Sequence, residues 1–129
     1  MNTFLSVVLA LAMLPVQYGQ LTIRVEHVSP WGHIRPLAGA QVYVTDLGPD
    51  EKGPWVTSKL TTDAAGVVLV KIPVGHHYNW QTDPALGWVN YSVCRLQSFN
   101  AGYGEFTRAG EMLTQTVRFS GRCDAKGEM

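Results

Sequence analysis

The chain has 129 residues, with ten Lys and Arg balanced by ten Asp and Glu, and 46% of its residues are hydrophobic. This length suffices for one domain with one core. The balanced charge gives no indication of the basic patch that nucleic-acid binding requires, so no nucleic-acid partner is expected. Only 16% of the residues are charged, which is unlike a disordered segment.

An apolar run of thirteen residues, FLSVVLALAMLPV, occupies positions 4–16. It is too short to span a bilayer comfortably, and it has the length of the apolar region of a secretory signal peptide. We predict cleavage after Gly19, which makes residues 1–19 a signal peptide and residues 20–129 a mature domain, secreted to an extracellular or periplasmic location. Because no Lys or Arg precedes the run and Gln17 stands where a small residue is preferred, an uncleaved membrane anchor is the alternative.

Beyond this segment, apolar and polar residues alternate along three stretches, which is the pattern of half-buried β-strands. The positions predicted to face the core are Leu21, Ile23 and Val25, then Ala40, Val42 and Val44, and finally Leu113, Gln115, Val117 and Phe119. Residues 67–72 instead form a nearly continuous β-branched run, which predicts a central strand covered on both faces. With turn-rich breaks between these stretches and no helical stripe, the sequence predicts an all-β fold, a single antiparallel β-sandwich of about seven strands.

Three phrases in fixed order carry a family resemblance: RPLAGAQVYV at 35–44, TTDAAGVVLVKIP at 61–73 and VGHHY at 74–78. Together they resemble the carboxypeptidase regulatory-like domains, small β-sandwiches of the transthyretin, or prealbumin, type. The resemblance implies that residues 20–129 form one such prealbumin-like domain.

The glycines of these phrases are predicted to form tight turns at the ends of strands. They are Gly39, Gly66 and Gly75. His76 and His77 put one residue more than the family pattern between the glycine and the aromatic, which leaves the register at Tyr78 open.

Cys94 and Cys123 are the two cysteines of the chain. An even number in a small secreted domain predicts a disulfide, whereas two cysteines are too few for a structural zinc site. Two buried free thiols are the alternative. The alternation of Val89, Tyr91 and Val93 predicts that these three residues face the core and that Cys94 lies on the opposite face of the same strand.

The chain has no recognisable catalytic motif. The transthyretin-type fold includes the hydroxyisourate hydrolases, but their C-terminal Tyr-Arg-Gly-Ser signature is missing from the sequence Asp124 to Met129. A GxSxG elbow, an HExxH helix and a P-loop are also missing. His76 and His77 would point to opposite faces of a strand, so we expect a surface histidine beside a half-buried one and no shared metal. We therefore predict a protein without catalytic residues, cofactor or metal.

Loop aromatics are the better functional indication. In a sandwich with each strand antiparallel to its successor, alternate loops lie at the same end, and two clusters result. One is predicted to gather Trp31, His33, Arg35, Asp63 and Asp83, with Trp88 nearby; the other is predicted to gather Asp50, Glu51, Trp55, His76 and Tyr103. Rigid aromatics beside hydrogen-bonding groups bind sugar rings or protein partners. The alternative is that Trp31 and Trp55 cover the two open ends of the core.

The sequence thus favours a secreted, non-catalytic β-sandwich module, structural or adhesive, that binds a protein or a glycan through its end loops. Contact with a membrane is expected only if the N-terminal segment stays uncleaved. The alternative is a small secreted transthyretin-like enzyme or ligand carrier that uses the histidine-bearing loops. The triplet from Asn90 to Ser92 is a sequon, which predicts glycosylation of Asn90 if the source is a eukaryote.

Overall fold

The computed structural model describes residues 15–83 and 94–121, and within these ranges the protein consists of two β-sheets without a helix. Its nine strands are β1 (Tyr18–Val28), β2 (Ile34–Pro36), β3 (Gln41–Gly48), β4 (Val56–Thr61), β5 (Val67–Pro73), β6 (His77–Asp83), β7 (Cys94–Leu96), β8 (Ala101–Glu105) and β9 (Met112–Gly121). The prediction of an all-β sandwich is confirmed. Across the described ranges, no helix is long and apolar enough to cross a membrane.

The first sheet has the strand order β2-β1-β9-β7, and the second has the order β4-β3-β6-β8. Strand β5 also belongs to the first sheet, because β1 is long enough to pair with β5 along one half and with β2 along the other. The sequence predicts an antiparallel sandwich, but the pairing of β1 with β9 is parallel. The additional strands β2 and β7 are three residues long, too short for an alternation that the sequence could reveal.

The core lies where the alternation places it. Leu21, Ile23 and Val25 of β1 and Val117 and Phe119 of β9 are fully buried. Each such side chain contributes roughly 1.5–3 kcal/mol of burial free energy. Leu113 of β9 is also predicted to face the core, but it is 40% exposed. Strand β7 pairs only with the far end of β9, so the start of β9 lies at the edge of the described sheet.

The prediction of a central strand at residues 67–72 is wrong. Among the described strands, β5 pairs with β1 alone. Val68 and Ile72 face the core, whereas Leu69 is 60% exposed on the outer face. The β-branched run therefore reflects the preference of these side chains for extended backbone and not burial on both faces.

Glycines on the inner side of β8 let two aromatic rings lie across that strand. Gly104 pairs with Tyr78 and Gly102 with Trp80, and a Cβ atom on Gly104 would lie 2.6 Å from the Tyr78 hydroxyl. Tyr78 is buried and stacks on Phe106, with ring centroids 5.5 Å apart. Burial, assisted by the charge of Glu111, raises the pKa of the Tyr78 phenol. The register left open by the sequence thus places Tyr78 in the core.

The predicted turn glycines all adopt positive φ angles. They are Gly39, Gly66 and Gly75. At Gly66 the constraint is strongest, because a Cβ atom there would lie 2.5 Å from the carbonyl oxygen of Val25, to which only a glycine backbone can come so close.

Strand β1 begins before the predicted cleavage position. The Gln17 carbonyl accepts a hydrogen bond from the Val74 amide, and the Tyr18 carbonyl accepts one from the Gly110 amide. Gly19 lies under the Phe106 ring with no room for a side chain. Cleavage after Gly19 stays a prediction, and it would remove these contacts from the mature domain.

Candidate functional site

The turn between β1 and β2 is built by Ser29. Its amide donates to the His33 carbonyl, its carbonyl accepts from the Gly32 amide, and its hydroxyl accepts from the His33 amide at 3.0 Å. Residues 29–35, which we call the Trp31 hairpin, therefore form a well-bonded turn with Pro30 and Trp31 at its tip.

Trp31 does not cover the core. Its side chain is 84% exposed. The Val25 backbone bonds to Gly66 and Leu37, and β1 continues beyond this point, so the hairpin lies past the end of the core. Trp55 is 61% exposed and donates its indole N–H to the Glu51 carbonyl in its own loop, at 2.8 Å. The alternative in which both tryptophans cover the ends of the core is wrong.

The structure brings only part of the first predicted cluster together. His33 and Arg35 follow Trp31 on the hairpin and are exposed. Asp63 instead closes its own turn, since its Oδ1 accepts from the amides of Ala65 and Val67. Asp83 pairs with Gln41 in the second sheet. Trp88 and the Asn90 sequon lie outside the described residues.

The sequence predicts Cys94 on the face opposite the core, and this prediction is wrong. Cys94 is buried in the core. Strand β7 begins at this residue, so an alternation inferred from positions 89–93, which lie outside the described residues, does not carry over to it. Cys94 pairs with Gly121 of β9, two positions before Cys123. This register favours the predicted disulfide, which stays a prediction because Cys123 is outside the described residues.

The opposite end of the sandwich carries a connected set of side chains, which we call the His77 rim. Its members are Glu51, Trp55, His77, Tyr103 and Glu105. The Tyr103 hydroxyl donates to Glu51 Oε2 at 2.8 Å, and His77 Nδ1 lies 2.5 Å from the same hydroxyl oxygen. His77 Nε2 lies 3.3 Å from Glu105 Oε1.

The number of protons that each group can donate fixes the proton positions in the rim. Tyr103 has one hydroxyl proton and directs it to Glu51, so His77 Nδ1 donates to the Tyr103 oxygen. The hydrogen bond to Glu51 raises the pKa of the Tyr103 phenol, with burial and the charges of Glu51 and Glu105 adding to the effect. The rim therefore keeps Tyr103 protonated.

The adjacent histidines bond in different directions. His76 Nδ1 lies 2.9 Å from Asp46 Oδ1 on β3, whereas His77 faces β8 on the other side of β6. No group of three or more His, Cys, Asp or Glu side chains in residues 15–83 and 94–121 is arranged to hold a metal ion.

The second predicted cluster contains Asp50, Glu51, Trp55, His76 and Tyr103. Trp55 and Tyr103 both bond to Glu51, whereas His76 bonds to Asp46 instead. The roles of His77 and Glu105 are not predicted by the sequence. These two residues are direct partners in the β6–β8 register, and no local pattern in the sequence gives that register.

No protein-family model matches the chain, and no curated protein matches it. Among solved structures, it is similar to the minor pilin GBS52 of Streptococcus agalactiae, with a TM-score of 0.58 and 13% identity, over 82% of this chain and 45% of that one. For a double mutant of the shaft pilin SpaA of Lactobacillus rhamnosus GG, the TM-score is 0.54 and the identity 8%, over 83% and 52% of the two chains. For the Bacillus anthracis TIE protein, the values are 0.52 and 19%, over 79% and 17%.

This chain thus spans about half the length of the two pilins and a smaller share of the TIE protein. At such identities the likeness establishes the fold and not the activity. The protein is a β-sandwich of the immunoglobulin-like or prealbumin type.

Proposed function

We propose that the protein is a secreted, non-catalytic module of the carboxypeptidase regulatory-like type, structural or adhesive, that binds a protein partner through the Trp31 hairpin. The observation that carries this proposal is the 84% exposure of the Trp31 side chain at the tip of a turn that is fixed by its own hydrogen bonds. The turn glycines and the prealbumin-type sandwich support the family assignment.

The composition of the hairpin suits a protein interface. Tryptophan and arginine are enriched among the residues that dominate binding energy, and Trp31, Ile34 and Arg35 of the hairpin are all exposed. A turn that is already ordered loses little conformational entropy when it binds. The hairpin is therefore prepared to insert into a partner's surface.

A protein suits the hairpin better than a glycan does. Small-ligand sites are concave and present convergent polar groups, whereas the Trp31 hairpin is a projection. The Ser29 hydroxyl is already bonded to the His33 amide, and the Asp63 carboxylate is bonded within its own turn.

The alternative, an enzyme or ligand carrier at the His77 rim, has less support. A general base needs an open acceptor near the proton that it removes. Both ring nitrogens of His77 face Tyr103 or carboxylates of the rim, and the pKa of Tyr103 is raised, so the phenol is a poor nucleophile near neutral pH. We infer that the rim holds the loop at 49–55 in place.

Saturable binding of the labelled full chain to the surface of its producing cells tests the proposal, with Trp31→Ala as the variant and Leu69→Ala, at an exposed apolar residue on the outer face of β5, as the control. We expect Trp31→Ala to weaken binding at least about tenfold, equivalent to roughly 1.4 kcal/mol, and to leave the melting temperature nearly unchanged. Prior treatment of the cells with protease or with glycosidase distinguishes a protein from a glycan. Undiminished binding by Trp31→Ala, or a large fall in its melting temperature, would contradict the proposal.

A further inference from the structure

The Trp31 hairpin carries positive charge at its base. Arg35 pairs with His27 at the base of the hairpin, and Arg95 lies at the same end of the first sheet, opposite Ser120. Among the described residues, neither arginine has a salt bridge, in contrast to Arg118, whose Nε bonds to Glu26 at 2.9 Å. The carboxylates at this end, Asp63 and Asp83, belong to the β4–β5 turn and to the second sheet.

The His77 rim has the complementary character. Glu51 and Glu105 each keep a large part of their carboxylates open to solvent while they bond within the rim. Asp50 is exposed beside them, with Lys52 as the cation of the same loop. The exposed rings of Trp55 and Tyr103 lie on the same rim, so aromatic surface and negative charge occur together.

The two surfaces lie at opposite ends of the sandwich. Strand β3 pairs with Asp83 at its first residue, Gln41, and with His77 at its last residue, Gly48. The hairpin and the rim of one molecule therefore cannot touch each other. A contact between them joins two molecules and leaves one hairpin and one rim free, which is a head-to-tail arrangement that can continue.

We propose that the Trp31 hairpin of one copy docks on the His77 rim of a second copy, with Arg35 facing the Glu51 and Glu105 carboxylates and the Trp31 indole against Trp55 and Tyr103. Charge complementarity supports this choice of partner, since an arginine–carboxylate pair is among the stronger hydrogen-bonded contacts and an aromatic plate adds apolar area. The inference rests on the proposed function, because it uses the same hairpin and names its partner.

A contact of this size is weak. Stable interfaces bury about 800 Å² on each partner, which exceeds what one short hairpin supplies. We therefore expect dissociation constants of roughly 10 μM to 1 mM and association that weakens as salt screens the charges.

Sedimentation velocity on the full chain tests the proposal. The mean mass of the wild type is expected to rise above 14.2 kDa with concentration up to about 1 mM, and to fall back when salt is added. Trp31→Ala removes the hairpin contact and Glu105→Arg reverses the charge of the rim, so each variant by itself should stay monomeric. Arg24→Glu, on the exposed outer face of β1, is a charge reversal of the same size and opposite sign away from both surfaces; as the control, it should associate like the wild type.

A mixture of Trp31→Ala and Glu105→Arg gives the sharpest result. The intact hairpin of one variant can dock on the intact rim of the other, so the mixture should form two-copy complexes and no longer chains. A monomeric wild type, an associating Trp31→Ala protein, or a mixture that stays monomeric would each overturn the head-to-tail contact.

These outcomes separate the two proposals. If the wild type is monomeric while Trp31→Ala still loses cell-surface binding, the hairpin binds another protein and only the self-association is wrong. If Trp31→Ala keeps its cell-surface binding, the hairpin is not the binding element and the proposed function fails.

Discussion

The two ends of the sandwich use aromatic residues in opposite ways. At the His77 rim, Tyr103 bonds to Glu51 and His77, and Trp55 bonds to the backbone of the same loop. At the other end, Trp31 stands on a turn whose hydrogen bonds are all made by other residues. An aromatic residue that makes hydrogen bonds within its loop holds that loop in place. One whose turn is already held by the hydrogen bonds of other residues remains available for binding.

The largest effect is expected at Phe106, which packs in the core close to the His77 rim. Phe106 stacks on Tyr78 and covers Gly19, so Phe106→Ala should lower the free energy of unfolding by about 3–5 kcal/mol. Phe99→Ala, at a ring that is 89% exposed, is the matched control and should change it by less than about 0.5 kcal/mol. Urea titration measures both, and equal losses would show that Phe106 is not a core residue.

The predicted disulfide would secure the hairpin end in a different way, by a covalent link from β7 to the residues after β9. On the chain-entropy model, a loop of about 30 residues is worth roughly 3–4 kcal/mol, so reduction should lower the urea midpoint accordingly. Peptide mapping of the non-reduced protein should recover Cys94 linked to Cys123. Two free thiols in that map would refute the link and favour the buried thiols.

A smaller effect is expected where β8 accommodates the core rings. Gly104→Ala places a methyl group against the Tyr78 ring, and such overpacking costs about 1–3 kcal/mol. Ala101→Val enlarges an exposed side chain of the same strand and should be nearly neutral. Thermal unfolding of the two variants compares them directly, and a neutral Gly104→Ala would mean that the ring can move aside.

The smallest effect concerns protonation at the rim. The Tyr103 pKa is raised above its usual 10.0, mainly by the hydrogen bond to Glu51. The stabilisation from this bond is therefore present below pH 10 and is lost as the pH rises through the folded-state pKa. Ultraviolet titration, with Tyr103→Phe as the spectral reference, should show the late-titrating phenol. Glu51→Gln should lower its pKa, and an unchanged titration would remove Glu51 as the cause.

Local patterns predicted those parts of the fold that depend on one strand at a time. The alternation in β1, in β3 and at Val117 and Phe119 of β9 predicts buried residues correctly, because the side-chain period of a strand reports which face is covered. Leu113, at the start of β9, is 40% exposed and departs from that prediction. The neighbours of a strand are not encoded in its own residues, so the sequence predicts a central position for β5 that the structure does not show, and it does not predict the parallel pairing of β1 with β9.

The same limit applies to the candidate site. Loop order was enough to bring Glu51, Trp55 and Tyr103 to one end. The contact between His77 and Glu105 depends on the register of β6 against β8, and the exposure of Trp31 depends on how far β1 extends beyond the core. Neither quantity follows from residue types in a loop.

The central parallel pair has a consequence for how the chain folds. Strand β1 pairs with β9 from Gln20 and Met112 to Val28 and Ser120, so the middle of the first sheet joins the first strand to the last. Contacts between such distant segments slow folding, because a long loop must close before they form. Until residues 112–121 are available, Leu21, Ile23 and Val25 have neighbouring chain on one side alone, from β5 and β2, and the first sheet cannot be completed.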